Sequence, residues 1–180
     1  MGDSKGQIMD ATYNALGKHG YADLSIEKIA EEFEKGKSLI YYHYSDKQEL
    51  MVSFLDFMVE KMESETGKFE DLEPEEKLDK MLEEGLAIDD PEMKEFRKAM
   101  MEMQAQTPHN PEFAEKFQQI NDLIQKRFEK ILKENNVEKP EIKTEIIIST
   151  IEGLSNRSIS QENTKNLEKM KEEIKRYCLQ

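Results

Sequence analysis

Cysteine is nearly absent from this chain. Cys178 stands alone, so no internal disulfide can form, which fits a reducing compartment. Long apolar stretches are missing too: no run of about 18 apolar residues occurs. The N-terminus shows no basic segment followed by an apolar one, so neither a membrane span nor a secretory leader is expected and the cytoplasm is the expected compartment. His19, His43 and His109 are scattered without ligand spacing, which leaves no visible metal site. There is no glycine-rich phosphate loop and no nucleophile motif, and the carboxylates are spread as on solvated faces. No cofactor is called for, and an enzyme is not expected. Alternating strand patterns are lacking apart from the short apolar run Ile146-Ile147-Ile148, and no internal repeat or low-complexity tract is found.

Positive charge is also in short supply. The net charge is −13, from 26 Lys and Arg against 39 Asp and Glu. The apolar share is 37% and the charged share 36%, a balance that favours helices with wide solvated faces over sheets. A length of 180 residues suits one compact unit, or a small head on a larger body, with a real core.

What is present is helical spacing from end to end. Residues 1–6 read as a loose tail; Ile8, Ala11, Ala15 and Leu16 then make one apolar face, and His19-Gly20 is a stop. Ser25 is placed to cap a short helix carrying Ile26, Ile29, Ala30 and Phe33, with Lys28 and Glu32 spaced for a surface ion pair. Glu34-Lys35-Gly36 reads as a turn. A second short helix from Lys37 to about His43 is anchored by Ile40, and it presents Lys37, Ser38, Leu39, Tyr41, Tyr42 and His43 around the rest of its surface. Two short helices joined by so tight a turn can set the second into the major groove of DNA. Tyr41, Tyr42 and His43 are adjacent and cannot all face inward, so an aromatic surface beside Lys37 and Lys47 is expected, suited to phosphates and thymine methyls.

The run Leu39-Ile40-Tyr41-Tyr42-His43-Tyr44-Ser45-Asp46-Lys47-Gln48-Glu49-Leu50 resembles, without a gap, the signature of the TetR family of transcriptional regulators, and residues 8–50 resemble that family's DNA-binding domain. The resemblance implies an all-α fold of about nine helices, with a helix-turn-helix head over residues 1–50 and a helical effector-binding and dimerisation body over residues 51–180. It implies DNA contacts through Ser25, Lys35, Gly36, Lys37, Ser38, Leu39, Tyr41, Tyr42, His43 and Lys47, with Lys47 matching a phosphate contact. Glu34 stands where that family often has glycine, and the glycine here comes two places later. The turn geometry is therefore expected to differ.

Ser45 or Asp46 caps a longer helix to about Thr66-Gly67, which ties head to body. Beyond an acidic connection, five further helices are expected: Pro74 to Ile88, Pro91 to Gln106, one opened by Pro111 and ended by Asn135-Asn136, Pro140 to about Ser158, and Thr164 to Cys178. Met81, Phe96, Met100, Met103, Phe113, Phe117 and Ile120 either form core or line a cavity for an apolar or amphipathic effector, with Glu152, Gln104, His109 and Asn121 as its nearest polar groups. Ile147, Ile151 and Leu154, with Leu167, Met170, Ile174 and Tyr177, make two apolar stripes on the last helix pair. They cover the body in a monomer; the resemblance implies a four-helix interface of a homodimer, placing two heads on a palindromic site. The sequence is read as a DNA-binding regulator, expected to be a ligand-responsive repressor. The alternative is a helical protein-interaction module with a vestigial head, motivated by the altered turn and by a head of six lysines against nine acids, a net −3.

Overall fold

Proline fixes where four of the helices begin: Pro74, Pro91, Pro111 and Pro140 each occupy a first helical position, where the missing N–H has no intrahelical acceptor to lose. The computed structural model describes residues 4–67, 69–87, 90–160 and 167–179. Among them are nine α-helices and no strand: α1 Ser4–His19, α2 Ile26–Glu31, α3 Lys37–His43, α4 Lys47–Ser64, α5 Pro74–Gly85, α6 Pro91–Gln104, α7 Pro111–Glu134, α8 Pro140–Ser160 and α9 Leu167–Leu179. The all-α expectation holds, and the isoleucine run 146–148 lies inside α8. No helix among the described residues is long and apolar enough to cross a membrane.

Several local expectations need correction. The tail is shorter than expected, since Ser4, Lys5 and Gly6 already belong to α1. Lys28 does not pair with Glu32. Its Nζ donates to the Asp23 carbonyl at 2.8 Å, and Glu32 takes Lys18 at 2.7 Å instead. Glu32 stands just past the end of α2, and lysine preceding glutamate is the weaker orientation of a helical pair. Asp46, not Ser45, caps α4, its Oδ1 accepting the Glu49 amide at 2.9 Å. The last helix is described from Leu167, so Thr164 lies outside the described residues.

The chain forms two compact units. One comprises residues 1–61 and 95–120: α1 to α3, most of α4, most of α6 and the start of α7. Its interior includes Ile8, Leu16, Ile29, Ile40, Leu50 and Phe54. The Phe96 ring meets Tyr13 and Phe54, with centroids 4.3 and 6.4 Å away, a geometry that adds to burial alone. The other comprises residues 62–94 and 121–180. Leu78, Met81, Leu82, Phe128, Ile131, Leu132, Ile147 and Cys178 form its main cluster, and Leu86 and Leu154 a second. Burial raises the Cys178 thiol to about 11. The head expected over residues 1–50 is thus part of a unit that also recruits residues 95–120.

The displaced glycine has a conformational reason. Between α2 and α3 the Gly36 amide donates to the Phe33 carbonyl at 3.4 Å, leaving Glu34 and Lys35 as the central turn residues. Neither has positive φ; Gly36 does, at φ 84° and ψ 156°, a region essentially closed to residues with a β-carbon. An added β-carbon would meet no atom within 4 Å, so the requirement lies in the backbone and not in space. Gly36→Ala is expected to destabilise the protein by about 1–3 kcal/mol, whereas Glu34→Gly brings no gain. Urea unfolding of both variants measures the difference.

Candidate nucleic-acid interface

Helix α3 has seven residues, too few to hold its shape alone in water. Its conformation is imposed by what it buries: Ile40 is fully enclosed and Tyr44, its C-cap, is nearly so. With that face inward, Lys37, Ser38, Tyr41 and Tyr42 are exposed, and Leu39 and His43 half-buried. Tyr41 is 45% exposed and Tyr42 81%, so the expected aromatic surface is present, and the Tyr42 ring meets His43 edge-on at 5.2 Å. His43 Nε2 lies 3.1 Å from Ser4 Oγ, bracing the end of α3 against the start of α1. Ser4 carries no periodic signal that would have singled it out.

The basic groups around α3 are mostly engaged within the protein. Lys37 Nζ donates to Glu27 Oε1 at 2.6 Å and stands 5.3 Å from the Tyr41 ring centroid. The Tyr41 hydroxyl donates to the same Glu27 oxygen at 3.4 Å. Lys47 Nζ donates to the Tyr21 carbonyl at 2.7 Å and sits over the Tyr21 ring at 4.2 Å. Burial pulls its pKa below the usual lysine value, opposed by Glu102 and Asp23. Among the described residues of the head, Lys35 is the one lysine without a hydrogen bond or ion pair, and it is exposed on the turn before α3. Ser25 caps α2, its Oγ accepting the Lys28 amide at 3.3 Å.

Glu102 of α6, which no sequence pattern marks, holds the α1–α2 loop. Its Oε2 accepts the amides of Tyr21 and Ala22 at 2.8 and 3.0 Å. The left-handed Gly20, φ 70°, turns these amides to one side, as in backbone anion cradles. A β-carbon at Gly20 would stand 3.1 Å from that oxygen. Tyr21 therefore gives both amide to Glu102 and carbonyl to Lys47, and packs edge-on against Phe113 at 6.0 Å.

The residues expected around an effector are divided between the two units. Phe96, Met103, Phe113, Phe117 and Ile120 are buried and Met100 half-buried in the unit containing the head, while Met81 is buried in the other. Glu152, Gln104, His109 and Asn121 are exposed. In the second unit a cleft is lined by Phe69, Lys77, Met81, Arg127, Ile131 and Glu134 among others, with about 40 Å³ of free space. That is room for a few waters. Met81 is the only one of the expected effector residues on its wall.

The two stripes of the last helix pair are also turned differently from the expectation. Ile147 and Leu154 are buried, and Ile151, Met170 and Ile174 pack against the core of their own unit; the Leu167 side chain lies outside the described residues. Tyr177 does face outward. The exposed apolar groups beside it are Leu179 on α9 and Ile142 and Ile146 on α8. Glu102→Ala is expected to destabilise the protein by about 1–3 kcal/mol by orphaning two amides, and Glu102→Gln by less. Hydrogen exchange at Tyr21 and Ala22 checks this directly, since both amides should lose protection.

The model for bacterial regulatory proteins of the tetR family matches residues 8–54, and the model for the C-terminal part of BetI-type transcriptional repressors matches residues 74–180. Curated protein sequences gave no match. Among solved structures, a TetR transcription regulator from Haloarcula marismortui is similar, with 28% identity, a TM-score of 0.83, and coverage of 99% of this chain and 97% of that one. A transcriptional regulator from Saccharomonospora viridis in complex with choline shares the fold at 13% identity and a TM-score of 0.80, covering 98% and 96%. Another, from Rhodococcus sp. Rha1, shares it at 16% identity and 0.78, covering 98% and 94%. With one model matching the head and the other more than half of the chain, the protein belongs to the TetR family of transcriptional regulators, which bind DNA and are not enzymes.

Proposed function

We propose that the protein is a ligand-responsive repressor that binds a palindromic operator as a homodimer. The observation that carries the DNA contact is the outer face of α3, where exposed Tyr41 and Tyr42 stand beside Lys37 and follow the unpaired Lys35, while Ile40 and Tyr44 lock the opposite face. Hydroxyls and ammonium groups take phosphates, ring edges take thymine methyls, and Ser38 and Leu39 reach base edges at the start of the helix. Ser25, the Gly36 backbone and His43 complete the contact surface. Lys47 contributes after releasing, or while keeping, its bond to Tyr21.

The second copy would pair through the outward face of α8. Ile142, Ile146, Ser149 and Gly153 follow the spacing of a helix–helix seam, and all four are exposed. Ile142 at 60% and Ile146 at 42% exposure are costly to leave in water, and Tyr177 and Leu179 extend the apolar area. A twofold axis at that seam places two heads on one face of the duplex, about 34–36 Å or a multiple apart.

An apolar or amphipathic effector would act by binding the two head arrangements unequally, which is the only way a ligand can shift them. That the Saccharomonospora viridis neighbour was solved in complex with choline supports reading this chain as responsive to a small molecule. The cleft beside Met81 would have to widen to accept such a molecule. Helix α4, which carries Lys47 at its start, would pass the change to the head.

Selection of bound sequences from random duplex DNA should return an inverted repeat. Tyr42→Ala should weaken binding to it at least tenfold while leaving the melting temperature unchanged, since the side chain is largely solvated. Lys47→Ala should weaken binding too, but with some loss of stability, because that side chain also holds Tyr21. No enriched sequence at low salt would refute the operator reading. Ile146→Glu should convert dimer to monomer in sedimentation; a dimer retained by that variant would place the interface elsewhere.

A further inference from the structure

Of all the charged groups near α3, Glu27 has the least expected position. It lies in the first turn of α2 on the exposed side of the head, where an approaching phosphate would meet it. Its carboxylate is the shared partner of two α3 side chains one helical turn apart, Lys37 at 2.6 Å and Tyr41 at 3.4 Å. We propose that Glu27 is a built-in competitor of the DNA backbone, occupying Lys37 and Tyr41 in the free protein so that contact with any phosphate must first displace it. The inference rests on the DNA-binding reading above and adds a residue that sets how strongly the head holds DNA without base contacts.

The physical basis is a contest between two anions for one ammonium group. Hydrogen bonding from Lys37, then from its own backbone amide and from Ser25, lowers the Glu27 pKa to about 2, so the carboxylate stays charged at neutral pH. A phosphate taking Lys37 either opens the pair or lies beside that carboxylate at close range, and both outcomes are unfavourable on every base sequence. Backbone-only complexes, which have nothing else to offset the cost, are weakened by the full penalty. Complexes with base contacts survive the same penalty. Release of Glu27 also frees the Tyr41 hydroxyl, so phosphate contact by Lys37 and the availability of Tyr41 are linked.

The test uses the full-length protein and a short duplex of random sequence, titrated at several salt concentrations with wild type, Glu27→Gln, Lys37→Ala, the double variant, and Glu31→Gln. Glu31 is exposed on the same helix and controls for loss of one negative charge. Glu27→Gln should bind random duplex roughly three- to tenfold tighter at low salt. Glu31→Gln should show a smaller gain. In the Lys37→Ala background the Glu27→Gln gain should vanish, because the effect runs through that lysine. Equal gains from Glu27→Gln and Glu31→Gln, or a gain that persists without Lys37, would overturn the competitor role while leaving DNA binding intact. If neither wild type nor Glu27→Gln binds duplex at any salt, this inference and the operator reading both fall.

Discussion

Everything presented to DNA by this head depends on the burial of one isoleucine. A seven-residue helix gains too little from its own hydrogen bonds to persist, so α3 exists because Ile40 is enclosed and Tyr44 closes its end. That single constraint fixes the rotation of the helix and, with it, the outward turn of Tyr41 and Tyr42. The supports around it are polar and come from far along the chain: Ser4 beside His43, Lys47 on Tyr21, and Glu102 on the same loop. The apolar contact sets which face is exposed. The polar contacts set where that face points.

An acidic DNA-binding head looks self-defeating until the lysines are followed individually. Lys18 is held by Glu32, Lys28 by a carbonyl, Lys37 by Glu27 and Lys47 by Tyr21. The two exposed ion pairs, Lys18–Glu32 and Lys37–Glu27, contribute little to stability, but they lower the density of uncommitted positive charge. At physiological ionic strength the acids on remote faces are screened beyond about 8 Å, so they neither repel DNA strongly nor compensate for the missing cations. On the proposed reading short-range placement governs binding, and the uncommitted Lys35, on the turn leading into α3, would be the first contact.

How much of this was legible in the sequence follows from the kind of signal each feature leaves. Ile40 as anchor, the outward tyrosines, the cap at Ser25 and the proline helix starts were readable because each is local, fixed by periodicity or by the stereochemistry of one residue. The reason for glycine at position 36 was not, since only the backbone dihedrals reveal that the turn needs its positive φ there and not at Glu34. Helix α8 has apolar residues on more than one side, and periodicity cannot say which stripe meets its own chain; Ile147 and Leu154 took that role and Ile142 and Ile146 were left outside. Glu27 and Glu102 were invisible for a different reason. A carboxylate among 39 acids carries no mark of its partner when that partner lies ten or eighty residues away.

The path by which a body could influence the head is constrained by where the chain passes between its two compact units. It does so inside three helices: α4 between Lys61 and Met62, α6 between Lys94 and Glu95, and α7 between Ile120 and Asn121. Each of the three ends in the head at a specific attachment. Helix α4 brings Lys47 to the Tyr21 carbonyl, α6 brings Glu102 to the Tyr21 and Ala22 amides, and α7 brings Phe113 to the Tyr21 ring. All three therefore converge on the loop that joins α1 to α2. On the proposed mechanism a movement in any one of them is felt first at Tyr21, where the Glu102 carboxylate and the Lys47 ammonium hold its amide and carbonyl.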